Sequence, residues 1–366
     1  VTETARNYAL ETSEVVSGVT APVVNYRAPR PKRAHRIGVI GCGGIAGAHL
    51  DAYRALGLEV VALCDRNAHK AQARASEFYP HADTTTDALA LIERDDIEVL
   101  DITTHPEGRA ALIEAAMGAG KHVLSQKPFV TDLEAGARLC DLADARGVRL
   151  AVNQNGRFAP HLAYMREVVR AGHIGAVQSA HVSIHWDHTW TAGTPFERVD
   201  DLILFDFGIH WFDFLNSLVG ERVTRVTATR AKVHDQTMPV PMMAQVLLEL
   251  EGGQASVVFD AHQRYGARDT TYIGGTRGSL VSDGPNLGEQ RVRVFTAAGE
   301  SSPMLEGRWF NDAFGGAMTE LLCAIEDERQ PLHNARDNLR SLALCFAAIH
   351  SSKTGRPYAP FEVTRP

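Results

Sequence analysis

The apolar positions between residues 36 and 154 fall into two alternating kinds of run. Short, near-continuous stretches (RIGVIG at 36–41, LEVVALCD at 58–65, DIEVLDITT at 96–104, HVLSQ at 122–126, VRLAVNQ at 148–154) read as strands buried on both faces. Between them lie segments of helical character: IAGAHLDAYRAL, NAHKAQARASEFY and EGRAALIEAAMGAG. A further helix is expected after Thr131, with Thr131 and Glu134 forming a capping box. Strand and helix in strict alternation predict a doubly wound parallel sheet.

Beyond residue 156 the pattern changes. A helix at 161–172 leads into β-type runs at 176–186, 223–233, 243–262, 269–282 and 290–297. One helical segment, LILFDFGIHWFDFLNSLVG, interrupts them, and two helices, around 313–327 and 335–352, close the chain. Consecutive strands without intervening helices predict an α+β unit with a large, mostly antiparallel open sheet. The expected organisation is therefore an N-terminal arm or leader (1–34), a dinucleotide-binding domain (35–155) and a substrate-binding and oligomerisation domain (156–366). The proline-bearing arm reads either as a flexible leader or as a segment packing on a neighbouring subunit.

Composition narrows the function classes. A chain of 366 residues, 45% apolar and 22% charged, is a two-domain globular protein rather than a disordered chain or a disulfide scaffold. No apolar run nears the ~20 residues of a membrane span. With a net charge of −7 and one short basic stretch at 27–36, nucleic acid is not an expected partner. Five cysteines without CxxC pairing, and no secretory h-region, point to a reducing compartment, the cytoplasm.

The glycine loop carries the first chemistry. Gly41, Gly43 and Ala46 form GxGxxA between a strand and a helix, with Gly44 and Ile45 inside it. Gly41 permits a tight turn, Gly43 close approach of backbone to a pyrophosphate, and Ala46 close helix–strand packing. Asp65 ends the next strand, where a carboxylate accepts bonds from ribose hydroxyls and repels a 2′-phosphate, which favours NAD over NADP. Arg66 beside it is either solvated or stacked on adenine.

Two further groups are candidates for reaction chemistry. Lys127, in Gln126-Lys127-Pro128, sits at the carboxyl edge of the sheet, where it is either solvated or faces the nicotinamide end of the crevice. Asp206, His210 and Asp213 share a narrow polar stripe on an otherwise apolar helix, His210 about 40° from Asp206 and Asp213 about 20° on the other side at ~100° per residue. Facing solvent, that stripe is ordinary; facing the crevice, it offers an imidazole with a carboxylate one turn away.

With these residues in place, the sequence resembles the Gfo/Idh/MocA oxidoreductases over about residues 35–360. The resemblance rests on GxGxxA after RIGVIG, AGKHVLSQKP, NGRFAP at 155–160, the DxGxHxxD helix and GTRGSL at 275–280. It implies an NAD-dependent dehydrogenase that oxidises a secondary hydroxyl of a sugar, sugar derivative or inositol-like polyol. Lys127 is then the catalytic lysine, joined by Asp206 and His210; Asp206 would orient His210, and His210 would accept the hydroxyl proton. It further implies cofactor contacts from Thr104, His105, Gln126, Lys127, Asn155 and Arg157, and a homodimer or homotetramer formed through the second sheet. Arg157 and His188 join the catalytic three as expected substrate contacts.

The chain departs from the family pattern in three places. Gln126 replaces a glutamate, keeping the shape and removing a charge; Thr104-His105-Pro106 replaces Thr-Pro-Asn; Arg109 replaces a histidine. A cluster of His181, His185 and His188 offers substrate contacts, structural or interface roles, or a metal site; no metal is assigned, because hydride transfer to NAD needs none. Two other functions remain open: an NAD-dependent glycosidase working through transient sugar oxidation, and a non-catalytic NAD-sensing regulator, against which the retained Lys127, Asp206 and His210 argue.

Overall fold

The computed structural model describes residue 16 and residues 18–366. The first sheet has six parallel strands: β1 (Arg36–Ile40), β2 (Glu59–Cys64), β3 (Asp83–Thr85), β4 (Val99–Ile102), β5 (His122–Gln126) and β6 (Leu150–Asn153). Their order, β3-β2-β1-β4-β5-β6, reverses between β1 and β4, which opens a crevice beyond the strands' carboxyl ends. Helices α1 (Gly44–Ala55), α2 (Ala68–Phe78), α3 (Ala88–Ile92), α4 (Arg109–Gly118) and α5 (Leu133–Arg146) make the crossovers. The short β3 and α3, too brief to show a period, were not evident in the sequence. The expected capping box is corrected: Asp132, not Thr131, caps α5, its carboxylate accepting from the amides of Glu134 and Ala135.

The second unit begins with a 3₁₀ turn (Asn155–Phe158) and α6 (Pro160–Arg170). Its sheet comprises β7 (Val177–His185), β8 (Val223–Ala231), β9 (Met243–Leu250), β10 (Gly253–Asp260), β11 (Arg268–Gly275), β12 (Gly278–Asn286), β13 (Glu289–Thr296) and β14 (Gly299–Ser301), in the order β14-β13-β12-β11-β7-β10-β9-β8. Every neighbouring pair is antiparallel except β7 and β10. Helix α7 (Ile209–Val219) and the C-terminal helices α8 (Asp312–Glu326) and α9 (Ala335–Thr354) complete the fold.

The 156–366 boundary does not describe the packing. Phe314, Met318, Leu321 and Leu322 of α8 share a core with Ile37, Val39, Leu50 and Leu63 of the first sheet and α1. The two units are thus joined by buried apolar surface as well as by the chain.

The arm is described at residue 16 and from residue 18 onwards. Its described part lies along its own chain: Tyr164 donates to Pro22 O, the amide of Glu306 to Tyr26 Oη, and the amides of Lys32 and Arg33 to Glu326. Residues 1–15 and 17, part of the 1–34 segment, lie outside the described residues.

Candidate active site

The glycine loop has the geometry a dinucleotide requires. Gly41 adopts φ +102°, and a Cβ there would stand 2.9 Å from Thr103 Oγ1, so only glycine fits. Around Gly43 and Gly44 a Cβ would meet nothing within 4 Å, leaving the backbone open to a ligand. The first turn of α1 carries neither a side-chain cap nor an acidic residue, so its amides and dipole end are available to phosphate. Ala46 is fully buried. Asp65 is held in place by accepting from Cys42 N at 2.8 Å and Asn67 N at 2.9 Å, one bond to each oxygen. Each oxygen keeps a lone pair for a further donor. Arg66 is exposed.

At the crevice, Lys127 and Asp206 are an ion pair. Lys127 Nζ lies 3.1 Å from Asp206 Oδ2 and donates to Asp206 O at 2.8 Å. The expectation that Asp206 orients His210 is corrected, because the carboxylate bonds the lysine instead. The cause is local: the segment is not one regular helix. Residues Ile203–Phe207 form a π turn, with Gly208 N–H reaching back five residues to Ile203 O, before α7 begins. A π turn offsets the positions on either side of it from ideal helical spacing, and such turns recur at functional sites. Gly208 is required, since a Cβ would sit 2.7 Å from Leu204 O and 2.8 Å from Ile203 O.

His210 stands edge-on to Trp309, their ring centres 5.7 Å apart, and its Nδ1 has no partner among the described residues. Burial, reinforced by the ammonium of Lys127, holds its imidazole well below the ordinary range. It is therefore neutral, the form that accepts a proton.

The third member of the stripe leaves the site. Asp213 is buried and pairs with Arg157, Oδ2 with Nε at 2.6 Å and Oδ1 with Nη2 at 2.9 Å. Arg157 also reaches Asp337 at 2.5 Å and bonds Leu332 O. The expected role of Arg157 in binding cofactor and substrate is thus corrected: four bonds commit its guanidinium to tying the 3₁₀ turn to α7 and α9. Asn155 and Thr104 fit their expected roles better, since Asn155 Nδ2 and Thr104 Oγ1 are buried without partners. His105 is exposed on the loop after β4.

The histidine cluster is split by the sheet. His181 and His185 face away from the helices; His181 bonds Ser256 Oγ at 2.7 Å and His185 bonds Ser183 Oγ at 2.8 Å. His188 lies on the other side, stacked on Trp186 with centres 5.2 Å apart and against Phe207, and burial pushes its imidazole down to about 4. Among the described residues no three metal-ligating side chains converge.

Sequence reasoning missed the group behind Lys127. Gln126 points inward to His49, which with Tyr53 surrounds the buried carboxylate of Asp101. Arg109 donates to Thr104 O, Gln126 O and Pro128 O. Burial lowers its guanidinium to about 9. Polar residues placed inside an apolar strand and on the inner face of a helix were the available signal.

A glycine loop opening a Rossmann helix, with a lysine–carboxylate pair and a neutral histidine at the same crevice, defines a nucleotide-dependent oxidoreductase. The comparisons agree. Residues 35–154 match the oxidoreductase family with an NAD-binding Rossmann fold, and 162–281 match the GFO/IDH/MocA C-terminal domain. The chain belongs to the Gfo/Idh/MocA oxidoreductases. It is 28% identical over 363 residues to a D-apiose dehydrogenase of Paraburkholderia graminis, covering 95% of this chain and 93% of that protein. It is 26% identical over 324 residues to an inositol 2-dehydrogenase of Rhizobium meliloti, covering 86% and 96%. Among solved structures, a levoglucosan dehydrogenase in complex with NADH and levoglucosan superposes with a TM-score of 0.78 at 20% identity, covering 90% of this chain and all of that one.

Proposed function

We propose that the protein is an NAD-dependent dehydrogenase that oxidises a secondary hydroxyl of a sugar, sugar derivative or cyclic polyol. The observation that carries this reading is the Lys127–Asp206 pair beside a neutral His210. The named sugar and polyol dehydrogenases among its relatives support the substrate class.

Each residue has a distinct task. Asp206 holds the Lys127 ammonium through both its carboxylate and its carbonyl, which fixes a positive charge where alkoxide character develops on the substrate oxygen. His210 accepts the hydroxyl proton. Bound at the glycine loop, NAD supplies the hydride acceptor. Asp65 receives the adenosine ribose, and a 2′-phosphate there would meet its carboxylate, which supports NAD over NADP.

The macromolecular partner is a second copy of the chain, through the sheet face opposite the helices. Leu247 and Tyr272 are each 43% exposed on that face, an apolar presence that self-association would cover.

The test is a panel of sugars, inositols and glycosides with NAD and with NADP. One reduced nicotinamide per oxidised sugar, lost in Lys127→Ala, is the expected result. Release of free sugar from a glycoside with no net reduced nicotinamide would replace the reading with a glycosidase, and turnover of nothing in the panel would reject it.

A further inference from the structure

The backbone amide of Lys127 donates to Gln126 Oε1 at 2.6 Å. A backbone N–H can only donate, so this bond settles which end of the Gln126 carboxamide is oxygen. The NH₂ end then faces His49 Nε2 at 2.9 Å, and an NH₂ group can only donate as well. His49 Nε2 must therefore be a bare lone pair. The Asn153 carboxamide also lies 2.9 Å from the same nitrogen, and its other end has no partner that would fix which end is oxygen, so the Gln126 bond alone sets the tautomer. The imidazole proton is left on Nδ1, where it meets Asp101 Oδ2 at 2.7 Å. Tyr53 Oη donates to the same oxygen at 2.7 Å, and Phe314 packs on the ring at 4.7 Å between centres. His49, Asp101 and Gln126 are buried, and Asp101 is the only ionic group touching His49 among the described residues.

We propose that Gln126 is a positioning residue for Lys127, fixed by a neutral, Nδ1-protonated His49 that is itself fixed by Asp101. Its role in turnover rests on the dehydrogenase reading above; the tautomer does not. The relay runs from β4 through α1 to the exit of β5 and ends on the main-chain nitrogen of the lysine whose ammonium Asp206 holds. Arg109 clamps the flanking carbonyls, those of Gln126 and Pro128, from the other side. The residue type at 126 then selects the proton count of the pair it forms with His49. A glutamate of the same shape still accepts from Lys127 N, but its second oxygen would meet a lone pair, so the contact needs one more proton in the pocket, on Nε2 or on the carboxyl group itself. Gln126 thus keeps one negative charge, on Asp101, and no positive one in this pocket.

The experiment is ¹⁵N spectroscopy of histidine-labelled full-length protein at neutral pH, with His49 assigned from the backbone. The expected wild-type result is a protonated Nδ1 and a bare Nε2; a bare Nδ1, or protons on both nitrogens, overturns the proposal. In Gln126→Glu the pocket should hold one more proton, read as protons on both His49 nitrogens or, in a ¹³C spectrum, as a protonated carboxyl at position 126. An unchanged His49 signal together with an ionised carboxylate at position 126 overturns it. Gln126→Leu, which has no acceptor, should lower kcat by roughly tenfold or more with NAD affinity unchanged, since small displacements of a reacting group cost up to ~10²-fold. Normal kcat in Gln126→Leu would remove the positioning role, and a variant that does not fold leaves the wild-type tautomer to decide. The tautomer is read without substrate, so failure to find a sugar and failure of this proposal are separate results.

Discussion

Arg157 and Asp213 form a bidentate ion pair, 2.6 and 2.9 Å, with both side chains almost fully buried. Burial alone would depress the guanidinium, but Asp213 and Asp337 outweigh it and raise its pKa. This pair, 56 residues apart in sequence, joins the inter-domain 3₁₀ turn to the helix bearing His210. Asp213→Ala should therefore cost up to about 3–5 kcal/mol, because it breaks the buried pair and leaves Arg157 only the more exposed Asp337 as a counter-charge. Denaturant unfolding measures it. A loss below about 1 kcal/mol with a raised KM for the sugar would return Arg157 to substrate binding.

Lys127 works on charge that develops during reaction. Lys127→Ala should lower turnover by roughly 10²-fold or more while NAD affinity stays within a few-fold. Calorimetric titration with NAD, beside steady-state rates, separates the two. Near-normal turnover would take Lys127 out of the mechanism.

Asp65 sets the cofactor preference. Wild-type protein should bind NAD more tightly than NADP, and Asp65→Ala should narrow the gap. Because the carboxylate also accepts from Cys42 N and Asn67 N, the variant should lose about 0.5–2 kcal/mol of stability, as when a backbone-capping acid is removed. Equal or tighter NADP binding in the wild type, by calorimetry, rejects the assignment.

Acid should destabilise the fold through its buried histidines. Burial lowers His161 and His333 from 6.5 to about 3, and His188 to about 4. Above 6.5 these groups are neutral in both states and contribute no pH dependence. As the pH falls from 6.5 towards 4, the unfolded chain takes up protons that the native chain refuses, so stability falls by up to ~1.4 kcal/mol per unit for each. Asp269 opposes them: burial raises it to about 7, so the native state holds a proton that the unfolded state has released between about 4 and 7. Burial lowers His122 to about 4 and holds His210 well below its ordinary value as well, so five histidines against one carboxyl leave a net loss on acidification. Urea midpoints at pH 7 and pH 5 check the sign, and an equal or higher midpoint at pH 5 would contradict it.

What the sequence determined by itself is local. Strands β1, β2 and β4 to β6 follow from apolar runs, and the second sheet from β-type runs, of which 243–262 and 269–282 each fold as a hairpin that turns at Gly252 and at Thr276-Arg277. The glycine loop and Asp65 were legible because a turn, a helix start and a strand end each depend on neighbouring residues. The partners of charged groups were not. Asp206 and Asp213 share one polar stripe, yet one meets a lysine 79 residues away and the other an arginine 56 residues away. A π turn between the helical spacing and the real backbone decided the first, and an inter-domain 3₁₀ turn decided the second. Likewise nothing near Gln126 in sequence announces His49, 77 residues earlier. Hydrophobic periodicity acts over a few residues and leaves its mark on the sequence. Hydrogen bonds and ion pairs are set by distances of about 3 Å between segments that only the folded chain brings together.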